Sequence, residues 1–147
     1  MTEEIRVPIE SDADTVIARQ AGRDVALRMG FTRTDATFVA TAISEIARNI
    51  TVHAGSGEII VREVDEHGRA GLAVIARDGG PGISDVEAVM RQDYRSNAGL
   101  GMGIWGAMRL MDEVKIDSTP GTGTTVAMRK WLGFDEVAAF LDRDQRA

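Results

Sequence analysis

The sequence has no cysteine, few aromatic residues and few histidines. Without cysteine among its 147 residues, the chain can form neither a disulfide nor a thiolate metal site. Two Trp, one Tyr and four Phe are too few to favour an aromatic platform for nucleic acid. Two histidines offer little for a zinc site or for histidine-based catalysis. No apolar run reaches the roughly 18 residues of a membrane-spanning helix. The sequence therefore predicts no membrane partner.

Net charge, composition and length further limit the kinds of protein that this sequence can encode. The net charge of −6 argues against binding to a nucleic-acid backbone. The first eleven residues are acidic and lack the apolar segment of a secretory signal, which, together with the absence of cysteine, favours a cytoplasmic protein. A hydrophobic fraction of 44% and a charged fraction of 27% are typical of a globular protein. We expect one domain over residues 1–147, in which residues 133–147 form a tail or short helix.

The hydrophobic pattern predicts elements in the order β-α-α-β-β-α-α-β-β. The predicted strands cover residues 5–9, 58–64, 71–78, 114–118 and 124–131. The predicted helices run from about residue 12 to Gly30, from Thr34 to about residue 53, over 84–90 and over 104–111, with a further amphipathic stretch at 134–141. Since no βαβ unit repeats, the order favours a two-layer α+β sandwich over a doubly wound sheet.

The second predicted helix carries Glu45 and Asn49 one turn apart. Residues four apart share a helix face, and this face borders the apolar stripe. An amide oxygen is a hard ligand suited to Mg²⁺, and a carboxylate beside it can accept a proton. Taken alone, the pair also fits a solvated glutamate and an asparagine near a helix end.

Glycine clusters at three further places. Asp78 with Gly79, Gly80 and Gly82 follows a buried strand, where the carboxylate can accept a hydrogen bond from an exocyclic amine and the glycines allow close backbone approach. Gly99, Gly101 and Gly103 precede a predicted helix at Ile104, an arrangement that can bind an anion. Residues 121–125, Gly-Thr-Gly-Thr-Thr, lead into the last strand. Taken singly, each cluster also fits an ordinary turn or surface loop.

The order of these four clusters is more specific than any one of them. Glu-x-x-x-Asn, Asp-x-Gly-x-Gly, Gly-x-Gly-x-Gly and Gly-Thr-Gly-Thr resemble the N, G1, G2 and G3 boxes of the GHKL ATPase and kinase superfamily. The segments SEIARN, DGGPGI, GLGMGI, RLMDEVKIDS and GTGT resemble its bacterial anti-sigma and switch-kinase branch. The glycine lid, RLMDE and KWL are most similar to RsbT-type serine/threonine kinases of stressosome pathways. The resemblance spans about residues 5–132.

This resemblance implies a fold and a set of site residues. The fold is the GHKL (Bergerat) sandwich, a mixed and mostly antiparallel sheet with helices on one face. ATP and Mg²⁺ are the implied cofactors, with Asn49 as metal ligand and Glu45 as the general base that activates a substrate hydroxyl. The adenine amino group is bound by Asp78. The remaining implied nucleotide contacts are the glycines of the pocket wall and the lid, and a threonine that closes the adenine pocket: Gly80, Gly82, Gly99, Gly101, Gly103 and Thr124.

The resemblance also implies a function. The expected enzyme is an ATP-dependent protein serine/threonine kinase whose substrate is a STAS-domain antagonist. Once released from it, the kinase is expected to bind and activate a PP2C-type phosphatase in a partner-switching stress pathway. Two alternatives stay open: an anti-sigma factor that sequesters a sigma factor, with kinase activity secondary, and a nucleotide-dependent adaptor without phosphotransfer.

Overall fold

The computed structural model describes residues 4–80, 82 and 100–133. Within these residues the chain forms, in order, β1 (Glu4–Ile9), α1 (Asp12–Met29), α2 (Arg33–His53), β2 (Gly57–Glu66), β3 (Arg69–Asp78), α3 (Leu100–Leu110), β4 (Glu113–Thr119) and β5 (Gly123–Trp131). The predicted helices at 84–90 and 134–141 lie outside the described residues. The remaining predicted elements are present.

The five strands form one sheet in the order β1-β2-β3-β5-β4, and each neighbouring pair is antiparallel. The strands β2 and β3 are joined by a two-residue turn at His67 and Gly68. Both residues have positive φ, +56° and +79°, as a tight hairpin turn with the twist of the flanking strands requires. The antiparallel pairing of all four neighbouring strand pairs confirms the expected mostly antiparallel sheet.

The helices pack on one face of the sheet. Along α2, apolar residues recur every three or four positions, so one face of this helix is buried against β1, β2 and β3. From the sheet, alternate residues point into the same core: Val7, Ile9, Ile59, Val61, Leu72, Val74, Ala76, Val126 and Met128. This arrangement is the predicted two-layer α+β sandwich.

Local signals set the ends of the first two helices. The carboxylate of Asp14 accepts hydrogen bonds from the backbone N–H groups of Glu10 (2.8 Å) and Ser11 (3.2 Å) at the start of α1. Gly30 ends α1 in a left-handed conformation, with φ of +103°. The hydroxyl of Thr32 accepts from the N–H of Asp35 at 3.1 Å and caps α2. None of the described helices is both long and apolar enough to cross a membrane.

Lys130, on β5, joins the end of α3 to the sheet. Its side chain is only 10% exposed, and Nζ donates a hydrogen bond of 3.1 Å to the carbonyl oxygen of Leu110. A cation at a helix C-terminus is stabilising because the carbonyl groups there carry partial negative charge. The carboxylates of Asp35 and Asp112 each lie 3.9 Å from Nζ. This junction fixes where the C-terminal end of α3 meets β5 and the start of α2.

Gly123 allows the turn before β5 to approach the end of β3. Its φ is +134°, and a β-carbon added to it would lie 2.1 Å from the carbonyl oxygen of Asp78. We expect Gly123→Ala to lower the free energy of unfolding by about 2–4 kcal/mol, because backbone strain adds to a clash with main-chain atoms. Urea denaturation would measure the change.

Gly121→Ala is the matched control for that prediction. Gly121 also has positive φ, +82°, but nothing lies within 4 Å of an added β-carbon. Its substitution is expected to cost about 1–2 kcal/mol, from backbone strain alone. Equal losses in the two variants would contradict the close approach at Gly123.

Candidate functional site

A cavity lies between α2, α3 and the ends of β3 and β5. It contains about 440 Å³ of empty space, part of which is open to solvent. Among the described residues its lining consists of five aliphatic side chains and five residues with polar or glycine character: Ile46, Ile50, Ala76, Ile104, Val126, Asn49, His53, Asp78, Gly82 and Thr124. Asn49, Asp78, Gly82 and Thr124, which belong to three separate sequence clusters, thus share one cavity.

Helix α2 supplies the cavity wall through residues one turn apart. Ile46 and Ile50 are 1% and 2% exposed and anchor this face of the helix to the core. Asn49 is half-buried beside them and lines the cavity. His53, one further turn along, lines it too. The burial of the two isoleucines therefore determines where the carboxamide and the imidazole point.

Glu45 is not among the described residues that line the cavity. It is half-buried one turn before Asn49, about 6 Å along the helix axis. Its Cγ lies 3.9 Å from the position that a β-carbon on Gly106 of α3 would occupy. The Glu45 side chain therefore lies where α2 faces α3. The two predicted residues of this cluster share a helix side but not the same surroundings.

Asp78 is the last residue of β3. It pairs with Gly57 on β2 and with Thr124 on β5, so the sheet holds its backbone on both sides. Its Oδ1 accepts a hydrogen bond of 2.9 Å from the N–H of Gly80. Because a carboxylate has two oxygens and about four lone-pair positions, this bond leaves acceptor capacity for a ligand. The loop after β3 thus orients the carboxylate.

Gly80 and Gly82 lie where neighbouring elements leave no room for a side chain. A β-carbon on Gly80 would lie 2.6 Å from Cβ of Ala54, immediately after α2. On Gly82, whose φ is +80°, it would lie 2.6 Å from the carbonyl oxygen of Thr119. The loop after β3 therefore approaches both the end of α2 and the β4–β5 turn. Of the two glycines, Gly82 lines the cavity.

Thr124 is held by a residue that sequence reasoning missed. The Ser118 and Thr124 hydroxyl oxygens are 2.9 Å apart, and the Ser118 hydroxyl also donates to the carbonyl oxygen of Gly123 at 3.1 Å. Ser118 on β4 pairs with Thr124 on β5. The cross-strand pair fixes the threonine hydroxyl at the cavity edge. A serine in a predicted strand gave no signal of this role, because the pairing of β4 with β5 decides it.

The predicted glycine loop differs from the structure. The expected helix start at Ile104 is wrong: α3 begins at Leu100, so Gly101 and Gly103 lie within the helix. Each glycine weakens a helix by about 1 kcal/mol relative to alanine but does not prevent it. Burial of Ile104 and Ala107, which are 1% and 0% exposed, stabilises the same helix. Gly99 lies outside the described residues, and the nucleotide-contact role of all three glycines stays a prediction.

His53 is a polar cavity residue that the sequence analysis did not include. It is the last residue of α2. Its Nε2 atom is buried and has no hydrogen-bond partner within the described part of the chain. Its spacing of four from Asn49 was the available signal, because residues at i and i+4 lie on one helix face.

The lining combines five aliphatic side chains with the carboxylate of Asp78, which is a hydrogen-bond acceptor. Among the described residues no group of three or more His, Cys, Asp or Glu side chains could hold a metal ion. Mg²⁺ usually takes few protein ligands and completes its shell with phosphates and water, so a single carboxamide such as Asn49 fits a nucleotide-bound Mg²⁺.

Known proteins share both the sequence pattern and the fold. The family model described as histidine kinase-like ATPase domain matches residues 9–130. The chain is 45% identical over 132 residues to the serine/threonine-protein kinase RsbT of Bacillus subtilis (strain 168), covering 90% of this chain and 99% of that protein. It is 34% identical over 130 residues to an anti-sigma F factor of Caldanaerobacter subterraneus, covering 84% and 86%.

A solved structure supports the fold alone. The mycobacterial sensor histidine kinase MprB matches 89% of this chain and 97% of its own, with a TM-score of 0.52 and 14% identity. The predicted resemblance and the predicted fold class are thus confirmed. The chain belongs to the histidine kinase-like ATPase domain family.

Proposed function

We propose that this chain is an ATP-dependent protein serine/threonine kinase that acts in partner switching. Its proposed substrate is a STAS-domain antagonist, and its proposed second partner is a PP2C-type phosphatase that it activates after release. The observation that carries the proposal is the shared cavity: Asn49 on α2 and Asp78 on β3 face the same space. The likeness to RsbT, named a serine/threonine-protein kinase, supports the direction of the chemistry.

Adenine recognition follows from the lining. The ring packs between aliphatic side chains of α2 and of the sheet, such as Ile50, Ala76 and Val126. Asp78 accepts a hydrogen bond from the exocyclic amine, and the Thr124 hydroxyl, held by Ser118, closes the edge of the pocket. A guanine ring carries a carbonyl oxygen where adenine carries the amine, so it would set an acceptor against the carboxylate. The pocket therefore selects adenine.

Phosphoryl transfer needs positioning more than covalent assistance. The substrate serine or threonine oxygen attacks the γ-phosphorus, its O–P bond forms as the bond to ADP breaks, and the hydroxyl proton passes to Glu45. Asn49 would hold Mg²⁺, which would neutralise charge on the phosphates. Glu45 lies beside the cavity and not in its lining. That position suits a base that meets a protein substrate at the edge of the nucleotide site.

A second candidate function rests on the anti-sigma F factor relatives. At 34% identity over 84% of this chain, they favour a role in which the protein sequesters a sigma factor and phosphorylation is secondary. The two functions differ in the stable partner. Incubation with radiolabelled ATP and candidate STAS-domain proteins would put label on the partner if the kinase proposal holds. A stable sigma-factor complex with no labelled partner would favour the alternative.

The carboxylate of Asp78 gives the first test of the nucleotide site. In Asp78→Asn the amide oxygen can still accept the hydrogen bond from the N–H of Gly80. The amide NH₂ group then faces the adenine amine, so that a donor replaces the acceptor that the amine needs. We expect ATP affinity to fall by at least about tenfold, the cost of one unmade buried hydrogen bond. Isothermal titration would measure it.

Asp117→Asn makes the same chemical change on β4 at an exposed residue outside the described lining. It should bind ATP as the unaltered chain does. Normal ATP binding by a folded Asp78→Asn variant would remove the adenine assignment.

Glu45 gives the test of phosphotransfer. We expect Glu45→Gln to keep ATP affinity within about threefold, because the side chain is outside the described lining, and to slow transfer by about 10²–10⁴-fold, the usual contribution of a general base. Transfer is measured as label on the partner protein.

Glu63→Gln, a half-buried carboxylate on β2, is the control and should transfer phosphate at the normal rate. Full activity in Glu45→Gln would exclude this residue as the base. Equal slowing in both variants would point to a general loss of charge and not to proton transfer.

A further inference from the structure

We propose that His53 is a nucleotide-binding residue whose imidazole Nε2 forms a hydrogen bond with the adenosine part of the nucleotide. The inference rests on the proposed nucleotide site and adds a residue that neither the sequence boxes nor the mechanism above uses. It assigns a nucleotide-binding role to the polar side of the cavity at the C-terminal end of α2.

The first support is the state of the Nε2 atom. His53 lines the cavity, and its Nε2 is buried without a hydrogen-bond partner among residues 4–80, 82 and 100–133. A buried polar atom that lacks a partner destabilises a protein, and such atoms are rare in folded chains. A ligand in the cavity would supply the missing partner. The imidazole can serve as donor or acceptor at this nitrogen, depending on its tautomer.

The second support is the position of His53 relative to Asp78. A single point, the β-carbon position on Gly80, lies 2.6 Å from Cβ of Ala54 and 3.1 Å from Oδ1 of Asp78. Ala54 directly follows His53, so the end of α2 lies beside the carboxylate proposed to bind the base. Asn49, proposed to hold the metal on the phosphates, is one turn back, about 6 Å along the axis. His53 therefore lies on the adenosine side of the cavity.

A contact of His53 with adenosine and a contact with the terminal phosphate have different effects on nucleotide affinity. A contact with adenosine contributes equally to the affinity for ATP and for ADP and does not need Mg²⁺. A contact with the terminal phosphate contributes to ATP alone. Ring nitrogens and ribose hydroxyls of adenosine both offer partners for an imidazole nitrogen. The ratio of ATP to ADP affinity is therefore the readout that identifies the contact.

Two substitutions of similar polarity make the test. His53→Gln places an amide near the position of Nε2, whereas His53→Asn places its amide near Nδ1. We expect His53→Asn to weaken both ATP and ADP by about tenfold, with and without Mg²⁺, and His53→Gln to stay within about threefold of the unaltered chain. Isothermal titration with ATP and with ADP gives the constants, and thermal unfolding confirms that each variant is folded.

Each other result overturns the inference. Unchanged affinity in His53→Asn means that Nε2 makes no contact, and equal loss in both variants means that the nitrogen position does not matter. A loss confined to ATP moves the contact to the phosphates. If the unaltered chain binds neither ATP nor ADP, the proposed function itself is wrong. If the unaltered chain and both variants bind the nucleotides equally well, only the inference about His53 is wrong.

Discussion

The site depends on how closely the end of β3 is enclosed by its two neighbouring strands. On one side a β-carbon on Gly57 would lie 2.3 Å from the carbonyl oxygen of Arg77, and on the other side one on Gly123 would lie 2.1 Å from that of Asp78. Neither position has room for a methyl group. Because both neighbours are glycines, main chain packs against main chain, and the backbone of Asp78 is held in place at the cavity.

The same enclosure fixes the helix that faces the strand. The β-carbon position on Gly57 also lies 2.9 Å from Cγ2 of Ile50, so α2 packs directly over the start of β2. The buried isoleucines of α2 then orient Asn49 and His53 toward the end of β3. Close main-chain packing between the strands and dense apolar packing on the helix together border the cavity. Its polar groups converge on it from segments that are far apart in the chain.

Much of this was predictable because it rests on local rules. Gly30 ends α1, and the apolar runs within β2 and β3 mark two buried strands. Spacing and composition marked the clusters that contain Asn49, Asp78, Gly82 and Thr124, the family resemblance assigned their roles, and the four residues share one cavity. Their individual roles, like the single-domain assignment of residues 1–147, stay predictions.

What the sequence could not supply depends on tertiary packing. The start of α3 at Leu100 is decided by burial of Ile104 and Ala107, which outweighs the weak helix propensity of two glycines. Ser118 contacts Thr124 because of the register of β4 and β5, and the approach of α2 to the loop after β3 brings His53 close to Asp78. For Glu45, the sequence predicted the position along the helix but not the surroundings of the side chain. Helical spacing placed it beside Asn49, but only the packing of α3 shows that it lies outside the cavity lining.

The central claim is that distant segments form a single adenine nucleotide site around the end of β3. A crystal structure of the chain with ADP and Mg²⁺ tests it most directly. The account predicts the adenine ring among Ile50, Ala76 and Val126, its amine about 3 Å from the Asp78 carboxylate, and the metal beside Asn49. A nucleotide bound elsewhere, or an adenine that turns its amine away from Asp78, would contradict it.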